Sequence, residues 1–164
     1  MITEELTSVR LVTEGLFLAL RRRDATGVAA CYDQDAVFSS PIIGDVRGAD
    51  VEALWRAIFA ATCDSTLSFT IVDLGLTSAR VEGIAKYSLL ASGRSVTSRF
   101  NSALHIRDLR VMQHDDNFDA WAWASMALGP TGLLLGWSKA WRRRMVANTR
   151  LPAALHTAEL SARN

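Results

Sequence analysis

The sequence predicts an α+β fold, on three observations. Apolar residues recur at helical spacing in the first third of the chain, strand-like alternation fills the middle, and the links between those strands are short and turn-like. The chain has 164 residues, enough for one domain with its own core and short for two.

The first segment reads as an amphipathic helix. Leu6, Val9, Thr13, Leu16, Phe17 and Leu20 form one stripe, with Glu4 and Glu5 in the first turn and Arg21, Arg22 and Arg23 at the end. Both charge placements suit the helix dipole, so the arginine triplet is expected to be a solvated helix end. Asp24 suits the N-cap of a short second helix through Cys31 and Tyr32. Ala36 to Ser40 is a short strand halted by Pro41, and Ile42 to Gly48 is expected to be a loop. A third helix follows, with Val51, Leu54, Trp55, Ile58 and Phe59 as its apolar face.

Four strands come next, at residues 67–73, 80–90, 95–106 and 110–118, with turns around Gly75 to Ser78, Ala91 to Arg94 and Arg107-Asp108. Links this short join antiparallel neighbours. Ala120 to Leu128 is a helix ended by Gly129-Pro130, and another begins near Thr131 with Leu134, Trp137, Trp141 and Met145 as its stripe. The expected division is a main domain over residues 1–128 with a C-terminal helical extension, 129–164, of the same domain.

The bulk numbers exclude several function classes. With 49% hydrophobic and 21% charged residues the chain has an ordinary soluble composition, and no apolar run approaches the roughly 20 residues of a membrane span. A net charge of +1 makes no global case for nucleic acid. Cys31 and Cys63 are far apart with no metal-ligand spacing, so two buried free thiols are expected. Metal, nucleotide and flavin motifs are missing, so no cofactor is expected. The acidic start, MITEELTSVR, lacks a secretory leader's basic region, and a cytoplasmic setting is the expectation.

Chemistry-bearing residues concentrate in SRFNSALHIRDLRVMQHDDNFDAW. Alternation puts Thr97, Arg99, Asn101, Ala103 and His105 on one face of the first strand, and Met112, His114, Asp116 and Phe118 on one face of the second. Polar groups on one face of both strands suggest an interior pocket. Asp119 is expected to cap the next helix and Asp115 to be solvated. Trp121 and Trp123, two apart, cannot share a helix face.

Two segments carry a family resemblance: AVFSSPIIGDVRGADVEALW and the strand end HDDNFDAW. Their order resembles the SnoaL-like branch of the nuclear transport factor 2-like superfamily, over roughly residues 4 to 128. The resemblance implies a cone-shaped α+β barrel. In it, N-terminal helices pack in a strongly curved antiparallel sheet around a blind apolar pocket, and homodimers are common. Within the superfamily, limonene epoxide hydrolase-like members match at Arg99, Asn101 and Asp116. An amide there replaces the middle carboxylate, so the acid for that chemistry would have to come from His105 or His114, and Val37 and Ser39 stand where a tyrosine and an asparagine would. The ketosteroid isomerase-like base position is Ser40, and Phe17 lies nearest the place of the oxyanion tyrosine. SnoaL-like cyclases use an acid/base aspartate matching Asp116.

The implied function is general acid/base chemistry, of cyclase, isomerase or hydrolase type, on a small apolar carbonyl or epoxide compound. Asp116 would be the base, Arg99 its electrostatic partner on the same inner face, and Asn101 and His114 orienting donors. Phe17, Tyr32, Phe38, Trp55, Phe59, Tyr87, Met112 and Phe118 are the expected pocket walls. The alternative is a non-catalytic ligand-binding or interaction domain in which Arg99 and Asp116 form a structural ion pair. The C-terminal helix, with Arg142 to Arg144 after its tryptophans, is expected to dock on its own domain or on a second subunit rather than on a membrane surface.

Overall fold

A computed structural model describes residues 1–130 of the chain. The helix expected from Thr131, its Leu134–Met145 stripe, the Arg142–Arg144 run and nearly all of the 129–164 extension lie outside the described residues. In chain order the elements are α1 (Ile2–Arg22), α2 (Ala25–Cys31), β1 (Tyr32–Ser40), β2 (Gly44–Arg47), α3 (Asp50–Ala61), β3 (Thr62–Leu74), β4 (Ser78–Leu89), β5 (Ser95–Arg107), β6 (Arg110–Phe118) and α4 (Ala120–Leu128). The strands form one sheet in the order β2-β1-β6-β5-β4-β3. All neighbours are antiparallel except β1 and β6. No helix among the described residues is long and apolar enough to cross a membrane.

The α1 stripe does what its spacing requires. Val9, Thr13, Leu16, Phe17 and Leu20 are buried, and α1 packs against β3, β4 and β5. Phe17 is central: its ring stacks on Phe100 of β5 at 6.0 Å and meets Phe69 of β3 at 5.1 Å. Phe100 can lie that close to the sheet because residue 83 opposite it is glycine. A Cβ there would stand 2.4 Å from both the Phe100 ring and the Ser68 carbonyl oxygen.

Three local expectations change. The loop expected at 42–48 contains β2, which pairs Val37 with Arg47 and Ser40 with Gly44. The β5–β6 turn is centred on Asp108 and Leu109, one residue later than expected. Both have positive φ, 51° and 60°, as a two-residue hairpin turn demands. The arginine triplet is not uniformly a solvated end. Arg23 takes the left-handed C-cap position (φ 59°) and turns inward. Its guanidinium donates to Ser65 Oγ at 2.7 Å, to Thr62 O at 2.6 Å, more weakly to Thr62 Oγ1, and to Phe59 O. Those bonds offset the roughly 1–2 kcal/mol a non-glycine residue loses in that conformation.

The register between β5 and β6 decides the rest. Next to the turn, Arg107 faces Arg110 and Ile106 faces Val111, but His105 faces Gln113. Met112 is therefore an extra residue, a β-bulge that shifts the pairing by one. Beyond it Leu104 faces His114, Ser102 faces Asp116 and Phe100 faces Phe118. Residues directly opposite share a face. Asp116 therefore shares the inner face with Ser102 and Phe100, while Arg99 and Asn101 project from the other side.

Gly83→Ala forces a methyl against a fixed backbone carbonyl, and should lower stability by about 1–3 kcal/mol in denaturant melts. A melt indistinguishable from wild type would contradict the close packing described for Phe100.

Candidate functional site

Between α1, α3 and the inner sheet face lies an apolar cavity with two lobes. The first, about 140 Å³, is bounded by Phe17, Leu20, Phe59 and Leu67. The second, about 260 Å³, is bounded by Phe38, Ile42, Leu89, Phe118 and Trp123. Trp55, Ile58, Thr62, Ala85, Tyr87, Phe100 and Asp116 line both. Each lobe is smaller than a usual small-molecule site of about 300–1,000 Å³, and together the two reach the lower end of that range. Among the described residues, Asp116 is the one carboxylate on the lining.

Asp116 is held from behind. Its Oδ1 accepts from Ser102 Oγ, the residue opposite it, and from His114 Nε2 at 2.8 Å. His114 is fully buried, ringed by Phe17, Tyr32 and Phe38, and its Nδ1 lies 2.6 Å from the Tyr32 hydroxyl. Burial, then the Asp116 charge, push the Tyr32 phenol well above its ordinary value, so it keeps its proton. That proton has His114 Nδ1 as its acceptor, which assigns the imidazole hydrogen to Nε2 and makes it a donor to Asp116. The side chain of His114 is 1% exposed and that of Asp116 17%, so Asp116 reaches the cavity and His114 does not. Asp116 Oδ2 accepts no hydrogen bond from any described residue and is the oxygen available to a ligand.

A second polar group faces the lobes. Trp123 of α4 donates its indole N–H to the Tyr87 hydroxyl at 2.6 Å. Burial raises the Tyr87 pKa and this donated bond offsets part of the rise. The phenol stays protonated, with its own O–H not donated to any described residue. Asp119 fixes where α4 starts, since its Oδ1 accepts from the Trp121 and Ala122 amides, as expected. Trp123 turns in and Trp121 out. Trp55 Nε1 is buried with no hydrogen bond of good geometry among the described residues, and its N–H, directed toward the Tyr32 hydroxyl, offsets a small part of the rise in that phenol's pKa.

Of the expected catalytic set, Asp116 and His114 are brought together and Arg99 and Asn101 are not. Arg99 is exposed on the outer sheet face, in an open groove with Glu82 and Asn117. Asn101 Nδ2 donates to Glu82 Oε1 at 3.2 Å. The Arg99–Asp116 pair, catalytic or structural, is therefore removed by the bulge. Among the expected walls, Phe17, Phe38, Trp55, Phe59, Tyr87 and Phe118 line the cavity. Tyr32 lies beneath it as the partner of His114, and Met112, the bulge residue, contacts Arg107 instead. Asp115 is not simply solvated, since it accepts from Ser39 Oγ and Gln113 Nε2, both at 2.6 Å. The two cysteines are free but half-buried.

Ser102 and the role of Tyr32 escaped the sequence reading, because only the β5–β6 register and the parallel pairing of β1 with β6 bring them to His114 and Asp116. Among the described residues no three His, Cys, Asp or Glu side chains cluster as metal ligands would. Both ring nitrogens of His114 are already committed.

Comparison with known proteins agrees with this geometry. The model of the SnoaL-like domain family matches residues 13–114. A putative polyketide cyclase from Silicibacter sp. TM1040 superposes with a TM-score of 0.66 at 16% identity, covering 74% of this chain and 96% of that one. An epoxide hydrolase from M. tuberculosis, of the limonene epoxide hydrolase-like type, gives 0.62 at 19% identity over 80% and 98%. A putative isomerase from Rhodopseudomonas palustris gives 0.63 at 20% identity over 74% and 96%. These likenesses establish the nuclear transport factor 2-like cone fold. A sequence search of curated proteins returns no match.

Both tyrosines of the chain have raised pKa values in the folded state. Their stabilising effect is therefore full below about pH 10, the unfolded tyrosine value, and is lost as pH rises toward the folded values. Stability should fall above pH 10 by up to about 1.4 kcal/mol per pH unit for each. Tyr32→Phe should flatten that slope, and should cost about 1–3 kcal/mol at neutral pH by leaving buried His114 Nδ1 without its donor. Urea melts from pH 8 to 11.5 measure both; equal slopes for variant and wild type would contradict the assignment.

Proposed function

This chain belongs to the SnoaL-like domain family, and from that premise we propose that it performs general acid/base chemistry on a small, largely apolar carbonyl compound. The observation that supports this most is the asymmetry of Asp116: one carboxylate oxygen is fixed by Ser102 and His114, and the other is free at the junction of two apolar lobes. A base held by two donors from behind cannot swing away from the ligand. Oδ2 would take a proton from carbon beside the carbonyl. Tyr87, protonated and anchored by Trp123, would donate to the carbonyl oxygen as negative charge develops there. His114 acts through Asp116, as a positioning residue.

Epoxide opening fits less well. It needs a proton donor for the leaving oxygen as well as a base for water. Tyr87, whose pKa is raised, is a weak acid for that role. The purely binding alternative, in which the buried Tyr32–His114–Asp116–Ser102 chain serves packing alone, is the outcome the experiment separates. Assembly as a homodimer and a cytoplasmic setting belong to the same proposal by resemblance.

The test is solvent-deuterium incorporation at the acidic carbon of small apolar β-dicarbonyl compounds, followed by NMR. Asp116→Asn keeps an acceptor for Ser102 and His114, and should lower exchange by about 10²-fold or more while ligand affinity stays within about tenfold. Undiminished exchange would sink the reading. Tyr87→Phe should slow exchange by about 10–10³-fold, up to the loss of one oxyanion donor. It should leave the pH dependence of the base unchanged.

A further inference from the structure

We propose that the ligand of the cavity carries an anionic group, a carboxylate or its equivalent, on an otherwise apolar body, and that Arg21, flanked by Arg23, receives it at the first lobe. This rests on the interior cavity being the ligand site, as proposed above. The Arg21 and Arg23 side chains border the first lobe and not the second, while Lys86, opposite Thr97, projects from the outer sheet face. None of them has a carboxylate within ion-pair distance among the described residues. Asp24, next to Arg23 in sequence, caps α2 by accepting from the Gly27 amide, and Asp64, close to Thr62 and Ser65, is exposed and accepts from Cys63 Sγ.

Arg23 and Arg21 are fixed differently. Arg23 meets only neutral oxygens, two of them carbonyls at the end of α3 that offset part of its charge. Arg21 donates Nε to Leu67 O at 2.9 Å and lies 4.9 Å over the Phe69 ring. Held at two points, it has terminal nitrogens not bonded to any described residue, so one edge of the guanidinium is open to a carboxylate. Low-dielectric walls behind a cationic rim concentrate the field at the opening. A ligand with its negative end there inserts its apolar body and presents a neutral reacting carbon to Asp116. The reverse orientation would bring two negative charges together.

The experiment compares octanoate with octanamide, a neutral probe of the same length, by quenching of tryptophan fluorescence in the full chain. Trp55 and Trp123 line the cavity and report occupancy. Arg21 is exposed, so octanoate should bind only about three- to tenfold more tightly at low salt, and the ratio should shrink toward one at about 1 M salt. Arg21→Gln should bring the ratio near one while octanamide binds as in wild type, which also shows the cavity intact. Arg21→Lys should keep most of the preference. Equal affinities at low salt, or a preference that survives Arg21→Gln, overturn the inference and leave the Asp116 exchange assay unaffected. If neither probe binds, this inference falls together with the reading of the cavity as the ligand site.

Discussion

Met112 is one residue more than β6 needs to pair with β5, and its insertion places Asp116 opposite Ser102 instead of Asn101. Side chains alternate with a period of two, so a one-residue shift exchanges the two faces of everything beyond it. On the near side of the bulge the hairpin keeps the register of its Asp108-Leu109 turn. On the far side His114, Asp116 and Phe118 face inward together, toward α1 and α3. The cavity, the buried polar chain and the outward position of Arg99 all follow from that step.

The polar chain explains how a carboxylate can be kept in an apolar cone. Burying a charge is costly unless its lone pairs are met. Ser102 and His114 meet those of Oδ1, and Tyr32 in turn fixes the tautomer of His114. Three aromatic rings hold His114 in place, so the network is rigid from the sheet side and open only at Oδ2. Core packing and the lining of the cavity thus draw on the same residues. Phe17 belongs to both, since it closes the core against Phe100 and walls the first lobe.

Charge is arranged along the cavity as well as within it. Basic groups that would suit any helix end are turned at Arg21 and Arg23 toward the first lobe, tied to β3 and to the end of α3. The carboxylate lies deeper, at the junction with the second lobe. A cation at the rim and a carboxylate inside give the cavity a charge polarity, and that polarity is a property of the fold rather than of any single residue.

The sequence by itself determined the elements and their kind. Helical spacing located α1, α3 and α4, alternation located the main strands, and the side chains of Asp24 and Asp119 marked two helix starts. The order of strand, proline, loop and helix near Pro41 pointed to the family, and six aromatic walls of the cavity followed from it. Each strand's parity was legible too, as two sets of residues on two faces. Which set of β5 shares a face with which set of β6 was not, because that depends on a bulge, and an extra residue leaves no mark in a run such as RVMQHDD. The tertiary structure alone decided that Asp116 meets Ser102 and His114, that Arg99 and Asn101 face away, and that Tyr32 lies under the site. Apart from His114 and Asp116, neighbours on one face of β6, the partners in these contacts are 14 to 82 positions apart, and only cross-strand register and packing bring them together.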